Sequence, residues 1–322
     1  MTIKLPYKTK QFFFVLVKLS IVVAAFYFIY QKIVKTPNID FLFFKDFLHK
    51  SEALSLKNCF TLLSLSVFNW YFEILKWQTL VSPIKKISFK NAMEQSLGSL
   101  TASLITPNRI GEYGAKAIYY EKAFRKRILL INLMGNMAQM TVTCIFGIVG
   151  LSLFTLNHSL VLKPFEQALT ILFVIGPLCF ILYTIVKKTI NIRGFSLRKI
   201  VRFIINFPRD KIYLGIIFSC LRYLLFSFQF YYLLVLFNTE ITYLNAMTVI
   251  TSMYFLASII PSIFIFDAVI KGSIALYLFS FLGINEFIIL SIVMIMWLLN
   301  FVLPSTIGSF YVLNFKIIKE NN

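Results

Sequence analysis

The stretch Thr106-Pro107-Asn108-Arg109-Ile110-Gly111-Glu112-Tyr113-Gly114-Ala115-Lys116 places an arginine, a glutamate and a lysine inside an otherwise hydrophobic region. A proline ahead of a helix start leaves backbone N–H groups free, and Gly111 and Gly114 let another group approach the backbone closely. Arg109 offers a planar fork of donors suited to phosphate. Glu112 stands three residues after Arg109 and four before Lys116, so either cation can neutralise it on one helical face. The chemistry open to this cluster is the binding of an anionic headgroup. The competing reading is an ion-pair network that only pins a turn, and charge within a membrane favours the functional one.

A second copy of the pattern follows Pro261. Asp267 and Lys271 repeat the acid and base four residues apart, while Ile263, Phe264 and Ile265 stand where the first copy has arginine and glycine. Anion binding is therefore expected mainly from Arg109, Gly111, Glu112 and Lys116, with Asp267 and Lys271 as a gate or as pair partners. Polar stripes at helical spacing add Ser66, Asn69 and Glu73, then Asn132, Asn136 and Gln139, then Arg222 with Gln229. Of these, Glu73, Asn136, Gln139 and Arg222 are candidates to line a headgroup pathway. Hydrogen bonding between helices is the alternative for the amides, whereas Glu73 and Arg222 are costlier to bury. Trp70, Trp77 and Trp297 are expected as interface anchors and packing residues.

No catalytic constellation emerges. The two histidines, His49 and His158, fall in expected loops, and Cys59, Cys144, Cys179 and Cys220 lie in apolar stretches without metal-ligand spacing. There is no Walker A loop, so neither a metal, a nucleotide nor another cofactor is expected. Asp40 and Asp46 are the only loop carboxylates that an enzyme could use as a base.

The elements that must position these residues are set by composition. In 322 residues, 59% are hydrophobic, 17% aromatic and only 14% charged, and the mean hydropathy of +0.80 exceeds what a soluble core can bury. An all-α, polytopic transmembrane helix bundle follows, since helices satisfy their own backbone in lipid. Full spans are expected at about 12–31, 56–76, 128–156, 166–186, 212–237 and 287–314, with a short interfacial helix at Ile39–Leu48. The run from Phe12 to Tyr30 resembles a signal sequence, but its length and the missing small-residue cleavage site make it a retained span. Regions 91–121 and 244–283 are apolar but broken by proline, and are expected as two re-entrant helical hairpins whose tips are buried in the bundle.

A net charge of +19 raises nucleic acid as a partner. The basic residues, however, form short clusters between apolar segments, which excludes a separable nucleic-acid-binding domain. With both termini cytoplasmic, the linker 187–211 lies inside with eight Lys and Arg against Asp210, as do Lys85, Lys86, Lys90, Lys122, Arg125, Lys126, Arg127, Lys316 and Lys319. The expected location is the inner or plasma membrane.

Asn91-Ala92-Met93 opens the first hairpin and Asn245-Ala246-Met247 the second, with Pro107 and Pro261 at the same offset from each triplet. The chain thus divides into repeat one (56–157), a connecting span and basic linker (158–211) and repeat two (212–315), inverted in the membrane. Inverted repeats with broken helices near the midplane are common in secondary transporters.

The residues TPNRIGEYGAK, their position before a basic cluster and the proline motif of the second half resemble the lysylphosphatidylglycerol synthase transmembrane-region family, also described as flippase-like integral membrane proteins. The resemblance runs from about residue 12 to 315 and is most specific at Pro107, Arg109, Gly111 and Glu112. It implies a bundle with re-entrant helices that translocates phospholipids or lipid-linked glycans. Lys116 stands where the family often has arginine, and the second half lacks its glycine pair after Pro261. The sequence ends at Asn322 directly after its last span, without the aminoacyl-transferase module of the full-length synthases, so no synthase activity is expected. The expected partner is an anionic phospholipid or polyprenyl-linked glycan among the membrane lipids, with envelope-biosynthesis enzymes as further partners. An accessory or scaffold role is the alternative, ahead of a membrane glycosyl- or lipid-transferase.

Overall fold

The computed structural model describes Val23 and residues 55–104, 106, 110–157, 191–192, 195–259 and 267–315, of which 191–192, 195–199 and 267–270 by their backbone alone. The spans expected at 12–31 (Val23 apart) and 166–186 and the interfacial helix at 39–48 lie outside these residues. The fold is all-helical; among the described residues the one strand pairing joins β1 (Asn191–Ile192) antiparallel to β2 (Phe195–Ser196).

The first helical segment is α1 (Leu56–Val81), followed by α2 (Phe89–Ser103), α3 (Ile110–Ala117) and α4 (Lys122–Asn157). After the β pair come α5 (Leu197–Ile205), α6 (Arg209–Leu236), α7 (Tyr243–Ile259) and α8 (Asp267–Ser280). The chain closes on α9 (Glu286–Trp297), a π-helical turn at Leu298–Val302 and α10 (Leu303–Asn314), which together form one continuous rod.

Among the described residues, three helices are long and apolar enough to cross a membrane: α4, α6 and the rod Glu286–Asn314. They coincide with three of the six expected spans. Helix α1 is nearly as long, at 26 residues, but buries Asn69, Glu73 and Lys76 on its inner face, which lowers its hydropathy. The 36 residues of α4 extend about 54 Å, well beyond the hydrocarbon thickness. Its basic first turns, Lys122 to Arg127, therefore project past one end.

Burial is inverted relative to a soluble protein. Phe60, Val67, Ile145, Val149, Ile217 and Phe310 are exposed, while Asn69, Gln95, Lys116, Asn132, Gln229 and Asn300 are buried. This is the distribution of a membrane protein, whose outer faces meet an apolar solvent.

Helices α1 and α6 run antiparallel: Tyr232 Oη donates to Asn58 at 2.8 Å, Gln229 to the Leu62 carbonyl at 2.9 Å, and Phe72 stacks on Phe218. The broken segments cross over, α2 packing on α10 and α7 on α4. Close approach is possible because glycines face these contacts. A Cβ on Gly308 would stand 2.2 Å from the Leu97 carbonyl and 2.4 Å from Thr101 Oγ1, and one on Gly150 would stand 1.9 Å from Thr251 Oγ1. A Cβ on Gly147 would stand 2.2 Å from Phe255. The offset that aligns Asn91 with Asn245 also aligns Leu97 with Thr251 and Thr101 with Phe255. It aligns the caps as well: Ser88 Oγ accepts from the Asn91 N–H and Thr242 Oγ1 from the Asn245 N–H.

The π-helical turn has a covalent cause. Pro304 has no N–H to give the Asn300 carbonyl four residues back, and its ring crowds that carbonyl. The Leu303 N–H bonds instead to the Leu298 carbonyl, five residues back. The freed Leu299 and Asn300 carbonyls accept from Ser66 Oγ at 2.6 Å and from Trp70 Nε1 at 3.1 Å.

Gly150→Ala and Gly308→Ala are each expected to destabilise the protein by about 1–3 kcal/mol through overpacking. Gly114→Ala, where a Cβ meets nothing within 4 Å, serves as the neutral comparison. Melting in detergent followed by tryptophan fluorescence checks this, and equal midpoints for all three would contradict the close-approach geometry.

Candidate functional site

The polar stripes converge on a cavity of about 740 Å³ enclosed by α1, α2, α3, α4, α6, α7, α8 and the α9–α10 rod. Four cations, Lys76, Lys116, Arg222 and Lys271, and two carboxylates, Glu73 and Glu112, line it, an excess of positive charge among the described residues. Glu112, Lys116, Lys271, Glu73, Asn136, Gln139 and Arg222, all singled out from sequence, are thus brought to one chamber.

Glu73 is the hub. Its Oε2 meets Lys76 Nζ at 2.7 Å, one turn along α1, and the same oxygen meets Arg222 Nη1 from α6. Arg222 also donates through Nε to Asn69 Oδ1 at 3.1 Å and through Nη1 to Gln139 Oε1 of α4 at 3.2 Å. From Asn69 the network continues through Nδ2 to Asn300 Oδ1 at 2.9 Å, and from Asn300 Nδ2 to Gln229 Oε1 at 2.8 Å. Each amide therefore bridges helices, as the structural alternative for these stripes anticipated.

Lys116 is 2% exposed and held from three sides. Its Nζ meets Glu112 Oε1 and Asn132 Oδ1, each at 2.8 Å, and lies 4.4 Å from the centre of the Trp77 ring. Trp77 is itself fixed by its Nε1 donating to Gln95 Oε1 at 2.8 Å, an oxygen that also accepts from Tyr120. The packing expected of the tryptophans is seen at Trp77, in the core cluster with Ile74, Leu80 and Ile128. Trp77 is 2% exposed and forms a wall under a buried cation, while Trp70 and Trp297 line the cavity. Acceptors for their indole N–H groups hold Trp77 and Trp70 inward.

Gly111 does not line the chamber. Its N–H donates to Thr106 Oγ1 at 2.8 Å, and a Cβ there would stand 2.9 Å from the Ala102 carbonyl, so it closes the turn between α2 and α3. Asp267 opens α8, and its side chain lies outside the described residues, as do Arg109, Pro107 and Pro261.

Lys76, Asn300, Ser96 and Tyr254 join the site although they were not among the candidate site residues. Lys76 follows Glu73 by three residues on the same stripe, and Asn300 is a lone amide in an apolar span, so both carried a legible signal. Ser96 and Tyr254 carried none. Both hydroxyls lack a hydrogen-bond partner among the described residues, and both line the cavity.

The lining is mixed. The first half of the chain supplies Glu73, Lys76, Glu112 and Lys116 with Trp70, Leu100 and Met140, and the second half supplies Arg222, Lys271, Tyr254 and Asn300 together with most of the apolar surface, Phe226, Phe230, Met253, Val293, Met296 and Trp297 among it. Such a chamber can hold a molecule with an anionic, hydrogen-bonding end and an apolar end. Among the described residues no group of His, Cys, Asp or Glu is placed to hold a metal ion. In comparisons with known proteins, no family model and no curated sequence matches the chain.

Glu73→Gln leaves Lys76 and Arg222 facing a neutral amide and is expected to cost about 3–5 kcal/mol, the range for breaking a buried pair. Asn136→Ala, which gives up one partly buried bond to Tyr113, is expected to cost about 1 kcal/mol. Denaturant or thermal unfolding in detergent separates the two, and a wild-type midpoint for Glu73→Gln would remove Glu73 as the hub.

Proposed function

We propose that this protein is a flippase-like transporter of a lipid or lipid-linked glycan, which receives the anionic headgroup of its cargo in the central cavity. The observation that carries this reading is the meeting, in one chamber, of four cations, the hydroxyls of Ser96 and Tyr254 and a broad apolar lining that comes mostly from the second half of the chain. A phosphate group fits the cations, the hydroxyls of Ser96 and Tyr254 offer hydrogen bonds to glycerol or sugar, and the apolar wall accepts the first methylenes of a chain.

The exchanged packing of α2 on α10 and of α7 on α4 supports an inverted repeat with re-entrant hairpins. So do the coincident glycine contacts and the antiparallel pairing of α1 with α6. At 15 and 17 residues, α2 and α7 extend only about 22 and 26 Å, short of the hydrocarbon thickness. With six spans in all, the ends of α1 and the starts of α4 and α6 share one side, and their basic residues make it the cytoplasmic face of an inner or plasma membrane. The resemblance to the lysylphosphatidylglycerol synthase transmembrane-region family points the same way, through Arg109, Gly111 and Glu112. Asp267 and Lys271 take the part of a gate.

An accessory role in envelope lipid or glycan synthesis is the second reading, favoured by how many of the charges are already paired within the protein. Reconstitution in liposomes with fluorescent anionic and zwitterionic phospholipids decides between them. Transport predicts movement of the anionic lipid faster than in protein-free vesicles, slowed about tenfold or more by Arg109→Ala or Lys271→Gln if each removes a charged contact to the headgroup. Movement no faster than in protein-free vesicles would sink phospholipid transport, and equal rates for wild type and both variants would remove the headgroup site.

A further inference from the structure

A second pocket, of about 400 Å³, opens at the end of the bundle where α1 stops and α4 and α6 begin. Its walls include Pro83, Arg127, Arg202, Asn206, Phe207 and Pro208, and no residue lines both this pocket and the central cavity. Two features set it apart from a generally basic surface.

The first is uncompensated like charge. Arg127, on the first turns of α4, and Arg202, on α5, face one small space, and neither has an ion-pair partner among the described residues. Asp210, the only acid between residues 187 and 211, is paired instead with Lys211 at 3.1 Å. Two guanidinium groups converging without a carboxylate repel each other unless an anion sits between them. The guanidinium fork matches the paired oxygens of a phosphate.

The second is that the pocket is built rather than draped. Phe207 is buried and packs in the same cluster as Trp77, Val81 and Ile128, with Phe203 ring-to-ring beside it at 5.7 Å. Pro83 and Pro208 fix the backbone on either side. These contacts seat α5 against the ends of α1 and α4 and hold Arg202 opposite Arg127. On the other stripe of α5, Val201 and Ile205, one turn apart, are 36% and 71% exposed. Exposed apolar residues beside an arginine on a short helix next to membrane spans form a surface for the boundary between headgroups and acyl chains.

We propose that this pocket is a binding site for an anionic phospholipid of the adjoining leaflet, distinct from the transported cargo. Arg127 and Arg202 grip its phosphodiester, and Val201 and Ile205 lie along its chains. The occupant is a membrane lipid rather than free phosphate, because the apolar stripe has no role in holding a soluble anion. Occupancy would clamp the start of α4 to the α5–α6 junction and so tie the two halves of the bundle together at this face.

Native mass spectrometry of the delipidated, full-length protein in detergent, titrated with phosphatidylglycerol or phosphatidylcholine, tests this. Wild type is expected to retain phosphatidylglycerol over phosphatidylcholine, and Arg127→Gln/Arg202→Gln to lose about fivefold or more of that retention. Lys86→Gln/Lys90→Gln removes the same charge from exposed positions outside the pocket and is expected to retain the lipid. Equal loss in both pairs would mean a diffuse basic surface and overturn the site, as would unchanged retention in the arginine pair. Inorganic phosphate alone, if it displaces the lipid or raises the melting point as much as phosphatidylglycerol does, would overturn the lipid assignment. Should the glutamine pair fail to elute as a monodisperse peak, Arg127→Lys/Arg202→Lys decides, since it keeps the charge without the fork. Retention within roughly twofold of wild type there would overturn the proposal.

Discussion

A carboxylate taken away from water has to be met by cations and donors within a few ångström, and in this protein that requirement falls on Glu73. Lys76 meets it from the same helix and Arg222 from α6, while Arg222 brings Gln139 of α4 and Asn69 of α1 into the same set of bonds. Asn69 then reaches Asn300 at the π-helical turn. Four separate stretches of chain are thus fixed to one another by one charge. Apolar packing could not do this alone, because lipid tails offer helices the same contacts that neighbouring helices do. The polar hub decides which faces of α1, α4, α6 and the α9–α10 rod turn inward, and the apolar residues left over face outward.

The broken helices depend on a different device. Shape governs their docking, since α2 and α7 lie against glycines that admit their backbones and branched side chains. Gly308 receives Leu97 and Thr101, and Gly150 and Gly147 receive Thr251 and Phe255. Docked in this way, α2 presents Ser96 and Leu100 to the cavity and α7 presents Tyr254 at the position aligned with Leu100. One architecture therefore delivers unlike chemistry from its two halves, an aliphatic wall at one position and a hydroxyl at its counterpart.

Much of this was legible in the sequence, for identifiable reasons. Charge inside a hydrophobic stretch is rare enough to be read directly, so Glu73, Glu112, Lys116 and Arg222 could be picked out, and helical spacing tied Asn136 and Gln139 to them. The helices at 56–81, 122–157, 209–236 and 286–314 follow from length and hydropathy. What could not be read is direction. Trp77 has the composition of an interface anchor, and only the fold reveals that its ring lies under Lys116 and its N–H on Gln95. Ser96 and Tyr254 sit among many serines and tyrosines, and nothing local marks the two that end in the chamber. The π-helical turn was in principle open to inspection, since Pro304 withholds the bond owed to Asn300, but the partner that makes this useful, Trp70, is more than two hundred residues away.

The asymmetry of the chamber bears on what can occupy it. A small soluble anion would use only the cations Lys76, Lys116, Arg222 and Lys271, and the apolar lining drawn mostly from α6, α7 and α9 would gain nothing by staying open to it. An apolar molecule alone would leave the hydroxyls of Ser96 and Tyr254 without partners, at a cost for each polar group kept from water. A molecule that is anionic at one end and apolar at the other satisfies the polar groups and the apolar lining at once.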